Sequence, residues 1–425
     1  MTAPRTSLFR HTDFRRFWAA DSVSQAGTAV TLIALPLVAI GTLKATPFQA
    51  GLLVTFEYLA FLLIGLPAGA WVDRVRRRRV MVLGDLGRAA LLASVPIASW
   101  LDGLTLLQLY GVAFGMSVCT AFFDAAHGSY LPHLVEDAQL VEANVKIEAS
   151  RSTIQVGGPG AGGVLVGALT APVAIVVDAV SFVLSALFVT RIRRPEERPE
   201  IRPDASLRAE IGEGLRFVFG DRLLRSITLT AAISNMCGTI GASMLLVLLA
   251  GELHLSPFLC GLVFTAEAVG GLIGSLVTVR IVTRFGQGPA MCAAMITSAV
   301  LWLLALPMYQ ADWRFAVALL LQALGWVVFM TFKITGVAFR QQLCPKPLLG
   351  RMTATVRFLV WGAMPLGALI GGVLGQSLGV RQAMWVGVVG ELFAVLPVLL
   401  SPLRRMRELP GAPASAGGAP LALAP

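Results

Sequence analysis

Two glutamates sit where an acid is hard to keep. Glu57 and Glu267 each lie ten residues after a proline, in PFQAGLLVTFE (47–57) and PFLCGLVFTAE (257–267), segments that share Pro, Phe, Gly, Leu, Thr and Glu at the same offsets, 210 positions apart. In a helix rising 1.5 Å per residue, that offset carries each carboxyl roughly 15 Å from the helix end, near the middle of a bilayer. An ionised acid at that depth costs about 2.5 to 3.5 kcal/mol on insertion scales, so such residues face a cavity or a partner. The chemistry offered by their type and spacing is reversible protonation on a path across a membrane. A second reading keeps one or both acids protonated and hydrogen-bonded between helices. Asp21, closer to the end of its own apolar run, is a third acid of this kind, placed where its carboxylate can snorkel to water.

The elements that must carry these acids follow from composition: 56% of the residues are hydrophobic, 14% are charged, and the mean hydropathy is +0.76. Apolar runs of about 20 residues, enough to cross hydrocarbon, are expected at 16–41, 48–70, 80–100, 104–124, 144–168 and 172–191, and again at 226–250, 258–280, 289–308, 313–337, 353–377 and 382–401. The expectation is an all-α membrane protein of twelve transmembrane helices. Its domains are a first six-helix bundle (1–191), a cytoplasmic linker (192–225), a second six-helix bundle (226–403) and a disordered cytoplasmic tail (404–425). The linker opens with the charged, proline-rich RIRRPEERPEIRPD, and EIGEGLRFVF after it can form a short amphipathic helix with Ile211, Leu215, Phe217 and Phe219 toward lipid.

Orientation follows from the cations. One side holds only Lys44, Arg314 and Arg381 in or beside its loops, whereas a single loop of the other holds Arg74, Arg76, Arg77, Arg78 and Arg79. The positive-inside rule places that loop and both termini in the cytoplasm. Topology and the anionic inner leaflet thus account for the net charge of +10, and no nucleic-acid partner is expected. No cleaved signal peptide is expected ahead of the first span. The five cysteines and four histidines show neither paired nor ligand spacing, so no metal, cofactor or disulfide is expected. Without a nucleophile flanked by His and acid partners, or a glycine-rich phosphate loop, an enzyme is not expected either.

Further motifs narrow the reading. Between the second and third spans, GAWVDRVRRRRV resembles the loop signature of the major facilitator superfamily, matched by Gly69, Asp73, Arg74, Arg77 and Arg78, with Arg76 where that family has a turn glycine. In the second half the same loop keeps only Arg284 and Gly286, with Thr283 in place of the acid. GGPGAGG in the fifth span resembles a motif associated with antiporters in that superfamily, carried by Gly158, Pro159, Gly162 and Gly163; ordinary small-residue helix packing is the alternative. Arg151 precedes Pro159 by eight residues, as Arg357 precedes Pro365, and Gly367 follows. VVDAVSFVLSAL, with Asp178, Ser181 and Phe182, and FFDAAHGSYLPHLVEDAQLVEAN resemble the drug:proton antiporter branch that contains macrolide efflux proteins and the enterobactin exporter. The arginine that many drug exporters carry in the fourth span is absent from 104–123. Asp85 with Arg88, and Glu148 with Arg151, have the three-residue spacing of local ion pairs.

The resemblance implies the major facilitator fold, two pseudo-symmetric six-helix bundles, with residues 69–78 latching the bundles on the cytoplasmic side. It also implies a substrate cavity lined by the first, fourth, seventh and tenth spans, here offering Gln25, Thr28, Phe122, Asn235, Met236, Trp326, Phe329 and Met330. So apolar and aromatic a lining suits an amphipathic small molecule such as a drug, antibiotic or siderophore. The function implied is proton-coupled export by alternating access in the cell membrane, by a monomer with the lipid bilayer, protons and one small solute as partners. A solute importer of the same fold, or a non-transporting receptor or scaffold, are the alternatives.

Overall fold

Lipid offers a peptide group no hydrogen-bond partner, so a chain that crosses it closes its backbone bonds within each segment, and long helices are the outcome. The structure, a computed structural model, describes residues 8–72, 74–136, 139–194, 196, 207–345 and 348–407. Its first half contains α1 (Thr12–Leu37), α2 (Pro47–Val72), α3 (Arg77–Trp100), α4 (Leu106–Leu134), α5 (Leu140–Leu169) and α6 (Ala171–Thr190). A shorter α7 (Leu207–Gly220) leads into α8 (Arg222–Leu246), α9 (Pro257–Phe285), α10 (Gln287–Ala305), α11 (Arg314–Leu343), α12 (Leu349–Ser377) and α13 (Val380–Ala394). Among the described residues, eleven helices are long and apolar enough to cross a membrane. The remaining long one, α5, carries Glu142, Lys146, Glu148 and Arg151 in its first half, which lowers its hydropathy without shortening it.

Capping fixes several starts. The Asp221 carboxylate accepts from the backbone N–H groups of Leu223 and Leu224 at 2.8 Å, and the Ser256 hydroxyl accepts from that of Leu259 at 3.4 Å, just before Pro257 takes the first helical position.

The halves repeat each other in packing. In the first, α1 packs on α5 and α6, α3 on α4 and α6, and α2 on α4; in the second, α8 packs on α12 and α13, α10 on α11 and α13, and α9 on α11. The backbone repeats as well. α1 and α8 both run into a wide π turn, Val38–Thr42 and Val247–Glu252, and each π turn is followed by a left-handed residue, Lys44 and His254, both at φ 52°. Those two residues differ in kind yet stand 210 positions apart, so the shape has outlived the side chains.

The halves meet along two helix pairs, α2 with α12 and α5 with α9. Close approach needs residues without a Cβ: Gly372 lies against the backbone of Phe48 and Gly51, and Gly163 against that of Pro257 and Phe258. These contacts gather at the helix ends opposite the arginine loop, where the π turns also touch, Ile40 against Gly251.

Helix α7 occupies part of the linker, but it docks on protein. Val218 is buried among Cys344, Met352 and Val356, and Arg351 pairs with Glu213, so the apolar face expected to meet lipid is partly spent on the start of α12. Beyond α13 the described residues run to Arg407, whose carbonyl accepts from Gln287 N–H at 3.2 Å. The remainder of the expected tail, 408–425, lies outside the described residues.

Candidate functional site

A cavity of about 630 Å³ lies between the halves, lined by Gln25 and Thr28 of α1, Glu148 and Pro159 of α5, Glu267 of α9, and Trp326, Met330 and Lys333 of α11. A second of about 790 Å³ adjoins it through Trp326, Met330 and Lys333 and extends to Tyr58 of α2, Asn235 of α8, Arg340 of α11 and Trp361 of α12. A third, about 240 Å³, lies within the second half, where Asn235, Glu267, Gln322, Phe329 and Glu391 converge. Most of the expected lining residues are therefore brought together. Two are not. Phe122 packs its ring edge-on against Trp71 at 5.2 Å, within the α2 and α4 contact, and the Met236 backbone carbonyl backs onto Gly367.

The paired glutamates are not placed alike. Both follow the proline that opens their helix. Glu267 lines two of the cavities and accepts from the Gln322 amide at 2.8 Å, a neutral partner. Glu57 is half-buried and lines none of the three cavities; its neighbour Tyr58 does, and lies within electrostatic reach of both acids.

Asp21 departs from the sequence expectation. Its side chain does not snorkel: the residue is 2% exposed, and its carboxylate accepts from Arg151 Nε at 3.1 Å and Arg151 Nη2 at 2.7 Å, with His127 Nε2 3.2 Å away. Arg151 is consequently not the local partner of Glu148. A planar guanidinium gains more from a two-pronged bond to a buried acid than from a flexible neighbour one turn away, and Glu148 turns to the cavity instead. Asp85 and Arg88 do pair, and are more deeply enclosed than an interfacial pair, with the guanidinium 4.2 Å from the ring centres of both Phe123 and Phe182. Asp178 is fully buried and accepts from Thr31 at 2.5 Å and from Ser181 at 2.9 Å.

The arginine loop is tied to its own half. Glu196 accepts from the backbone N–H groups of Arg77 and Arg78 at 2.6 and 3.2 Å, capping α3, while the two side chains reach His133 and the Thr190 carbonyl. Arg76, in the place of the family's glycine, is extended at φ −66°, so this turn uses no left-handed residue there. Arg74 is exposed, Gly69 falls in the last turns of α2, and Asp73 lies outside the described residues. Among the described residues, one ionic tie between the halves near this end is Asp124 of α4 with Arg357 of α12 at 3.7 Å, Arg357 also lying over Trp361 at 4.9 Å, and the Trp361 ring meets Phe61 of α2 at 5.0 Å. Pro159 and Gly163 sit where α5 meets α9, Gly158 and Gly162 where α5 meets α1, and Gly367 where α12 meets α8. The Pro365 carbonyl accepts from Thr55 of α2 at 3.4 Å.

Sequence reasoning passed over Lys333, Arg340, Glu391 and the Asp124 to Arg357 tie. The signal for two of them was available: TFKIT (331–335) and VVGEL (388–392) each put a single charge inside an otherwise apolar run, as costly as Glu57 and Glu267.

Among the described residues, twelve long helices in two matching sets, closed at one end around a cavity between them, define a major facilitator transporter. Residues 3–422 match the family described as transmembrane secretion effector, and the chain belongs to that family. It is 27% identical over 401 residues to the multidrug efflux pump Tap of Mycolicibacterium fortuitum, covering 90% of this chain and 94% of that one. It is 26% identical to YfiS, an uncharacterised MFS-type transporter of Bacillus subtilis, over 87% of this chain and 86% of that one. In fold it is similar to a bacterial homologue of the iron transporter ferroportin in an inward-facing state, with TM-score 0.75 at 18% identity, covering 93% of this chain and 99% of that one. It is also similar to a bacterial homologue of the lysosomal transporter Spinster, with TM-score 0.71 at 14% identity, covering 95% and 98%. The chain is thus a multi-pass membrane transporter and not an enzyme.

Proposed function

We propose that this transporter is a proton-coupled antiporter of the cell membrane that exports an amphipathic small molecule by alternating access, as a monomer with both termini cytoplasmic. The observation that carries the reading is Glu267: an acid deep in its helix, bordering the cavity between the halves, with a neutral amide for a partner. Such a carboxyl can take a proton from one side and give it up to the other without first breaking an ion pair. Glu57, its counterpart in the first repeat, and Asp21 are the further coupling candidates. The efflux activity of the Tap relatives supports the outward direction, and an aromatic, largely apolar lining supports an amphipathic cargo. On the cytoplasmic side, residues 69–78 and the Asp124 to Arg357 tie would hold one conformation until cargo or proton binding favours the other.

The test is transport in vesicles under an imposed pH gradient, with dyes, macrolides and siderophores as cargo. Glu267→Gln is expected to abolish uphill movement while downhill exchange persists. Full gradient-driven export by both Glu57→Gln and Glu267→Gln, each in a folded protein, would contradict proton coupling through this pair.

A further inference from the structure

Most charges within the spans have an obvious counterweight, but Lys333 and Arg340 do not. Neither forms an ion pair or hydrogen bond with any described residue; Lys333 Nζ lies over the ring of Trp326, 5.7 Å from its centre. The two stand seven residues apart on α11, hence on the same face and about 10 Å apart along the axis, and both line the cavity of about 790 Å³ that Tyr58, Asn235 and Trp361 complete. No acidic residue lines that cavity. Buried acids can discharge themselves by keeping a proton, but a guanidinium stays charged at any physiological pH. A cation held this way in a membrane protein marks a pathway or a ligand.

We propose that this cavity is a binding subsite for the anionic group of an aromatic amphiphile, with Lys333 and Arg340 as its cationic ligands and Trp326 and Trp361 as the walls for its apolar body. The proposal deepens the export reading by fixing the charge of the cargo. Tyr58 and Asn235 add neutral hydrogen-bonding groups around the anion. A carboxylate, sulfonate or phosphate ester would all satisfy such a pair. An anionic phospholipid could supply the last, but its headgroup would meet Arg340, three residues from the end of α11, well before Lys333, ten residues in; reaching Lys333 draws it about 15 Å inward. A free solute has no such constraint.

The experiment is equilibrium binding to the full chain in phosphatidylcholine nanodiscs, without a gradient, using two dyes on one xanthene body: fluorescein as the anion and rhodamine 6G as the cation. The unaltered protein should favour fluorescein. Lys333→Gln and Arg340→Gln should each weaken fluorescein roughly tenfold or more and leave rhodamine 6G unchanged or tighter, and Lys333→Arg should retain most of the affinity. Tighter binding of rhodamine 6G to the unaltered protein, or equal losses of both dyes in Lys333→Gln with an unchanged unfolding midpoint, would overturn the proposal. Adding phosphatidylglycerol separates the sources: displacement of fluorescein assigns the anion to a lipid headgroup, and indifference assigns it to a solute, the anion site standing in either case. Because no gradient is applied and Glu267 is intact, failure here leaves proton coupling untouched, and failure of Glu267→Gln to uncouple transport leaves the dye result untouched.

Discussion

In the first half, the enclosed aspartates are held by groups that compensate them, Asp85 by Arg88, Asp21 by Arg151 and Asp178 by the hydroxyls of Thr31 and Ser181, and half-buried Glu57 is the exception. In the second half, Glu267 leans on an amide, Glu391, 4% exposed, lies beside the Ser234 hydroxyl and Gly238, and Lys333 and Arg340 have no acid or hydrogen-bond partner among the described residues. One ancestral arrangement has thus become, on one side, a cross-braced scaffold and, on the other, a set of charges left available. Duplicated halves therefore need not divide the work evenly: packing is shared, while unpaired electrostatics is concentrated where the cavities lie.

Substitutions in the first-half scaffold carry the largest expected effects. Arg88→Leu leaves Asp85, fully buried, without its counter-charge and removes the guanidinium from between two phenyl rings, so a loss of about 3 to 5 kcal/mol is expected. It should be read as a collapse of the unfolding midpoint in detergent. Asp21→Asn gives up a two-pronged charged bond whose arginine side chain is 31% exposed, and about 2 kcal/mol is expected from the same measurement. Glu391→Gln, equally buried but unpaired by any cation, should stay within about 1 kcal/mol of the parent; a penalty as large as that of Arg88→Leu would erase the contrast between halves. The smallest effect has the opposite sign. Thr170 and Gly379 occupy the same turn of the two repeats, at φ 75° and 105° with ψ 154° in both, a conformation only glycine adopts comfortably. Thr170→Gly should therefore raise the midpoint by a few degrees, about 1 kcal/mol.

Much of the architecture was legible in advance. Helix existence and order followed from hydropathy because lipid leaves the backbone so few options, and the two-half plan followed from Pro47 to Glu57 repeating as Pro257 to Glu267. Which way a side chain points was not. Asp21 reads as a residue able to reach water, and only the approach of α5 makes it an anchor for Arg151. Phe122 shares its helix with the cavity-facing expectation, yet a rotation of 100° per residue decides between cavity and Trp71, and hydropathy does not encode that angle. Lys333 is less visible for a different reason: Phe123 stands 210 positions before it, so no repeat marks it as Glu57 and Glu267 mark each other.

The two ends of the molecule are fastened by different forces, and this has a thermodynamic consequence. At the end of the π turns the halves meet through Ile40, Gly251, Phe48 and glycine backbones, all neutral, whereas near the arginine loop they are tied by Asp124 and Arg357, whose side chains are 40% and 49% exposed. Dissolved electrolyte screens the second fastening and leaves the first almost untouched. Ionic strength is therefore a bias on the molecule's resting posture, loosening one mouth while the other stays shut by neutral packing.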